Sequence, residues 1–236
     1  MVMQSNKECV EIGQRQLRRR IIIIGSIALA ILTGLFVFTY ERAREADDRV
    51  KSPIDILPLL MIPEVYDIQG YPAASERAFS RFLSKGNNHA RFTQLKKFLR
   101  SNRVEQVVQP YELLRQGSDW QDLDEPAFAI PPKELWWGIV NTLRVIEREI
   151  VPRVGPVTVV SGWRTVDYNR KAGGSKGSKH LHFCGLDIVP KKKFSREQLV
   201  PVLRDIHKRN GREWQMGLGI YRGIRFHVDT CGYRRW

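Results

Sequence analysis

The chain has 236 residues, 42% of them hydrophobic, with 39 Lys and Arg against 25 Asp and Glu for a formal net charge of +14. This composition excludes a disordered or fibrous chain and allows one cored domain with attachments. Beyond residue 40, 34 basic residues still oppose 23 acidic ones, a net +11, so the positive field belongs to the body of the protein and favours anionic partners.

Residues 1–20 form a basic tail with Arg15, Arg18, Arg19 and Arg20. The uncharged run Ile21 to Tyr40 follows, 20 residues, which is long enough as a helix to cross a hydrocarbon core of roughly 30 Å. The basic flank predicts an uncleaved signal anchor with the N-terminus in the cytoplasm and everything after Tyr40 outside. A cleaved signal peptide is the competing reading, because Ala28-Leu29-Ala30 resembles a cleavage site, but cutting there would leave Ile31 to Phe38 exposed on the new end. With that topology the charged domain faces away from nucleic acid, and no nucleic-acid-binding motif occurs.

Residues 41–72, charged and then punctuated by Pro53, Pro58, Pro63 and Pro72, predict a linker. A domain is then expected over 73–236. Ser75 and Asn88 read as N-caps of helices over Glu76 to Ser84 and His89 to Ser101. A third helix is predicted from Pro131-Pro132, with Leu135, Ile139, Leu143, Ile146 and Ile150 on one face and Trp136 and Trp137 widening it. Val157 to Val160 predicts a buried strand, and Ser195 opens a helix that buries Leu199, Val202, Leu203 and Ile206. The expected fold class is α+β, with helices packed on a small antiparallel sheet.

Three of the five histidines fall in two C-terminal segments. One runs from Ser178-Lys179-His180 to Asp187, and the other is Phe226-His227-Val228-Asp229. Two imidazoles and one carboxylate would leave the fourth position of a zinc ion open, the pattern of catalytic rather than structural sites. Strands over Leu218 to Tyr221 and Ile224 to Asp229, joined by an Arg222-Gly223 turn in which Gly can supply positive φ, would place Arg225, His227 and Asp229 on one face. The odd spacing of His180 and Asp187 requires a bend between them, for which Gly185 is the candidate. An Asp flanked by Leu186 and Ile188 needs a partner such as a cation. Cys184 and Cys231 lie in or beside the two segments, either as a disulfide or as two separate buried thiols; Cys9 falls in the basic tail. His89 and His207 lack acidic or thiol neighbours at ligand spacing.

Between Ile130 and Trp236 the chain resembles the zinc D-Ala-D-Ala carboxypeptidases and L,D-endopeptidases of peptidoglycan, peptidase family M15, in the branch ending in a His-x-Asp strand. The resemblance is carried by Ser161-Gly162-Trp163-Arg164, Tyr168-Asn169, Gly173-Gly174, Ser178-x-His180 with Asp187, and Gly217-x-Gly219-x-Tyr221 leading to Phe226-His227-Val228-Asp229 and Arg234-Arg235-Trp236. It implies Zn2+ held by His180, Asp187 and His227, with Arg164 contacting the substrate carbonyl or carboxylate and Ser178 helping to hold the peptide. It implies peptidoglycan stem peptides as substrates, cleaved as a D,D-carboxypeptidase or as an L,D- or D,D-endopeptidase. Many members carry Gly where this chain has Phe183, and several branches use an acid as general base where it has Ile224. Asp229 is then the candidate base, its alternative role being to orient a ligand imidazole. His182, two residues past His180, is a candidate substrate contact. The rival reading is a catalytically inactive wall-binding scaffold that retains the zinc fold.

Overall fold

In the computed structural model, residues 62–236 are described. The apolar run 21–40 and the basic tail lie outside them, and among the described residues no helix is long and apolar enough to cross a membrane.

The first element is a hairpin, β1 (Val65–Ile68) with β2 (Tyr71–Ala74), in a stretch whose prolines predict a linker. Its tip turns through Gln69 and Gly70, both at positive φ, and the Gly70 N–H donates to Asp67 Oδ1 at 2.6 Å. Two helices follow. In α1 (Glu76–Leu83) the buried Ser75 accepts from the Ala78 N–H, as its N-cap pattern predicts. Helix α2 (Asn88–Ser101) begins one residue earlier than its sequence suggests: Asn88 lies inside it, and its side chain donates to the Phe82 carbonyl, stitching α2 to α1.

The long apolar segment after Pro131-Pro132 forms a one-turn 3-10 helix (Lys133–Leu135), then α3 (Trp137–Val145), a π-helical turn (Ile146–Ile150) and a last α-turn, α4 (Val151–Val154). Ile139, Leu143, Ile146 and Ile150 are fully buried, as their spacing requires. The two tryptophans part ways. Trp136 is buried, whereas Trp137 is 67% exposed and does not widen the core face, because adjacent helical positions point about 100° apart.

Five strands make the main sheet in the order β3-β4-β6-β5-β7: β3 (Val157–Ser161), β4 (Gly185–Pro190), β6 (Phe226–Asp229), β5 (Gly217–Ile220) and β7 (Arg234–Arg235). Its pairs are antiparallel except the last, where β7 runs parallel to β5. Alternation divides the central strands cleanly. Leu186, Ile188, Leu218, Phe226 and Val228 join the core with α3 and with Leu199, Leu203 and Ile206 of α5 (Arg196–Asn210). Asp187, Gly217, Gly219, His227 and Asp229 take the opposite face. Helix α5 is fixed at its start by a complete capping box, Ser195 and Gln198 bonding each other's backbone N–H groups.

Two features cross-link the fold. Arg115, 1% exposed, donates through Nε to the Ala74 carbonyl at 2.9 Å and through Nη1 to the Val159 carbonyl at 2.7 Å, with Glu112 3.6 Å away. Glu112 in turn accepts the Val159 N–H at 2.9 Å, so one buried ion pair ties β2 to β3. Cys184 and Cys231 form a disulfide 47 residues apart in sequence. In the loop-entropy account, opening a loop of that size costs about 4 kcal/mol. Urea unfolding with and without a non-chelating phosphine reductant should show a loss of this order; an unchanged midpoint would mean the staple adds no stability.

Candidate metal centre

The two ligand segments meet on the polar face of the sheet. His180 sits on a 3-10 turn (Lys179–His182), after which Phe183, at φ 50°, swings the chain into β4. The bend demanded by the odd spacing therefore falls at Phe183 and not at Gly185, which opens β4. A fully buried Phe holds the left-handed conformation that glycine adopts most easily. Across the sheet, Ser161 pairs with Asp187, Asp187 with His227 and His227 with Gly219, one rung spanning four strands.

On that rung the His180 Nδ1–H donates to the Gly162 carbonyl at 2.7 Å, leaving Nε2 to face Asp187 Oδ1 at 3.4 Å. His227 presents Nδ1 to the same oxygen at 3.0 Å. Its Nε2–H donates to Asp229 Oδ2, also at 3.0 Å. One ligand atom from each of His180, Asp187 and His227 lies within 4.8 Å of the others, and all three residues are buried. Burial pushes the His180 pKa down, against the pull of Asp187. Burial opposes the charge on His227 as well, but its hydrogen bonds to the Asp187 and Asp229 carboxylates outweigh it and raise its pKa. Asp187 is held well below the ordinary carboxylate range: burial opposes this, but its contacts with His180 and His227 outweigh the cost. Two imidazole nitrogens, each with its other nitrogen held by a protein acceptor, and one carboxylate oxygen fit a zinc ion with its fourth position open.

Asp229 stands behind His227. Its carboxylate, fully buried, accepts from His227 Nε2, from the Cys231 N–H at 2.9 Å and from both terminal nitrogens of Arg234 at 3.0 and 2.7 Å. With that many donors on two oxygens it has no lone pair turned to the cleft, and its bond to Nε2 holds the His227 ring. The Gly217-x-Gly219 motif makes this possible: a methyl group on Gly217 would collide with Asp229, and one on Gly219 with the Trp236 ring. Trp236 lies 5.3 Å from the His227 ring and under the Arg234 guanidinium at 4.9 Å.

The centre opens into a cleft of about 350 Å³, bordered by Arg164, Ser178, Lys179, Tyr221, Arg234 and Trp236 besides the two histidines. Arg164 is braced through Nε by the Gln116 carbonyl at 2.8 Å and Ser161 Oγ at 3.0 Å, and reaches Asp187 Oδ2 with Nη2 at 3.3 Å. Ser178 borders the cleft, while His182 is exposed and is not among the residues that line it. A larger cavity of about 650 Å³ between α5 and β7 touches His207 and Arg234 but none of the three ligands, so size does not mark the reactive site. The buried His207 is a structural residue there, its Nε2 bonding the Met216 and Arg234 carbonyls.

A profile of the family described as Peptidase M15 matches residues 108–229, more than half of the chain. The chain belongs to the peptidase M15 family. No curated protein and no solved structure matches it. The M15 match begins well before Ile130, so the buried Glu112 and Arg115 lie within the family's own domain. M15 peptidases are zinc metallopeptidases, and the cluster of His180, Asp187 and His227 is a site of the right composition for that ion.

Tyr221 closes the Gly217-x-Gly219-x-Tyr221 segment, whose spacing carries no sign of a role for it. Its hydroxyl donates to Asp187 Oδ1 at 3.1 Å, and burial, followed by the Asp187 charge, pushes its pKa up. The proposed two-residue turn is also longer: Ile220 pairs with Phe226, leaving Tyr221 to Arg225 as the connection, and Gly223 does not take positive φ.

Proposed function

We propose that this M15 protein is a zinc-dependent peptidase of peptidoglycan stem peptides, of the D,D-carboxypeptidase or the L,D- or D,D-endopeptidase type, anchored in a bacterial inner membrane with its catalytic domain on the periplasmic side. The observation that carries the reading is a three-ligand centre whose open side faces a cleft with Arg164, Lys179 and Arg234 on its walls. Stem peptides ending in D-alanine or bearing diaminopimelate are anionic, and residues 161–236 carry 17 basic against 6 acidic side chains. The anchor rests on the 20-residue uncharged run and its basic flank.

Zinc held by His180, Asp187 and His227 would supply Lewis-acid polarisation of the scissile carbonyl and would lower the pKa of attacking water towards about 7. The chain's own groups do the rest. The Gly162 carbonyl holds the proton of His180 at Nδ1, and Asp229 holds that of His227 at Nε2, so each ring offers its other nitrogen as a lone pair. Arg164, fixed by two acceptors, positions the peptide carbonyl or carboxylate, and the Ser178 hydroxyl borders the same cleft.

One observation favours the second reading, a silent wall-binding module that keeps the zinc fold. Among the described residues the cleft is bordered by no carboxylate, and Asp229 is fully engaged. Full-length protein, recovered from the membrane fraction in detergent, should release products from muropeptides, stop when a chelator is added, and resume on restoring zinc. A preparation with one zinc per chain that cuts no bond would leave the binding-module reading.

A further inference from the structure

We propose that the Tyr221 hydroxyl is a catalytic hydrogen-bond donor that, together with Arg164, receives the charge developing on the scissile carbonyl oxygen. The proposal rests on the peptidase reading above and names a group for which that reading has no use.

Placement comes first. Tyr221 immediately follows β5 and borders the cleft. Its hydroxyl lies 3.1 Å from Asp187 Oδ1, the oxygen on which His180 Nε2 and His227 Nδ1 also converge at 3.4 and 3.0 Å. Arg164 donates to the other oxygen of the same carboxylate. Two donors from different elements therefore bracket Asp187 and both border the cleft, where a peptide carbonyl drawn to the open side of the centre would meet them.

Rigidity comes second, because a donor stabilises developing charge best when it needs no rearrangement as the reaction proceeds. The Tyr221 ring is covered by the Arg225 guanidinium at 4.6 Å, and that guanidinium also lies 5.3 Å from the Tyr71 ring. The Tyr71 hydroxyl accepts the Arg225 N–H at 3.4 Å. Behind the ring, the Tyr221 carbonyl accepts from Arg196 Nη1. The phenol is thus held from above and through its backbone, and only its O–H need turn, from Asp187 Oδ1 to the carbonyl oxygen. No bond to Tyr221 forms or breaks, and the phenol keeps its proton throughout.

The test is Tyr221→Phe in the full-length zinc-loaded protein, read in three ways: muropeptide kinetics, zinc affinity by competition with a chromophoric chelator, and affinity for a phosphinate analogue of D-alanyl-D-alanine, whose charged oxygens mimic the transition state. Loss of one such donor lowers kcat by about 100-fold. The expected result is a kcat fall of that order with KM little changed, phosphinate binding weakened by a similar factor, and zinc affinity retained. Unchanged kcat and phosphinate binding would overturn the proposal. So would a loss of zinc affinity in step with activity, which would make Tyr221 only a prop for Asp187. Arg225→Met keeps the phenol but removes the guanidinium stacked on it, and should show a smaller loss of the same kind; no loss would remove the rigidity argument. Wild-type protein that binds the phosphinate but cuts no muropeptide refutes the stem-peptide reading alone, and the phosphinate comparison then decides Tyr221 separately. Zinc-loaded wild type that does neither overturns both.

Discussion

Replacing His227 with alanine is expected to bring zinc below one ion per chain and to abolish hydrolysis with it, whereas asparagine at Asp229 should leave zinc bound, with affinity or activity lower by about 10–100-fold. The difference follows from position. His227 offers Nδ1 to the ligand cluster, while Asp229 touches only the far nitrogen of that ring and is itself clamped by Arg234 and the Cys231 N–H. Asparagine can still accept from His227, but it places an NH2 group against Arg234, so the imidazole loses its fixed orientation without being removed. Zinc competition assays and turnover on the same preparations separate the cases. An Asp229→Asn protein that binds zinc like wild type yet is wholly inactive would return Asp229 to the role of general base.

The second large effect is on stability. Arg115→Ala should destabilise the domain by about 3–5 kcal/mol, the range for breaking a buried pair by removing one member. Glu112 would keep its burial and lose its cation, and the Ala74 and Val159 carbonyls would lose their donors. Burial already pushes the Glu112 pKa up in spite of Arg115. Urea midpoints measure the change, and a double variant, Arg115→Met with Glu112→Leu, should recover much of it because no unpaired charge remains. A loss under about 1 kcal/mol in Arg115→Ala would mean that water enters and replaces the guanidinium.

Local chemistry was legible where a signal repeats within a few residues. Ser195 with Gln198, the apolar steps from Ile139 to Ile150, and the alternation through Phe226, His227, Val228 and Asp229 each specify an element by short-range sterics, and the structure follows them. The meeting of His180, Asp187 and His227 was expected from the family resemblance, supported by the need of an Asp between Leu186 and Ile188 for a partner such as a cation, and the structure brings the three together. What depended on distant partners was not legible. Arg234 reaches Asp229 from a two-residue parallel strand too short to carry a pattern, and Arg115 finds its acceptors more than 40 residues away on either side. Tyr221 owes its position to a hairpin hidden among prolines, because Tyr71 stands on β2. Trp137 shows the converse error: a large apolar residue beside a core stripe need not join it.

Ser161, Asp187, His227 and Gly219 form a single rung of the sheet, and this sets how the centre exchanges with its surroundings. Two of the three ligands belong to the two most enclosed strands, so they cannot fray loose as loop residues do. Separating them means unzipping the middle of the domain, an event as rare as global unfolding. Amides at Asp187 and His227 should therefore exchange with solvent only as slowly as the slowest in the protein. Ions and peptides must come and go through the cleft mouth past Arg164 and Trp236, and the speed of that traffic belongs to side chains at the rim rather than to breathing of the fold.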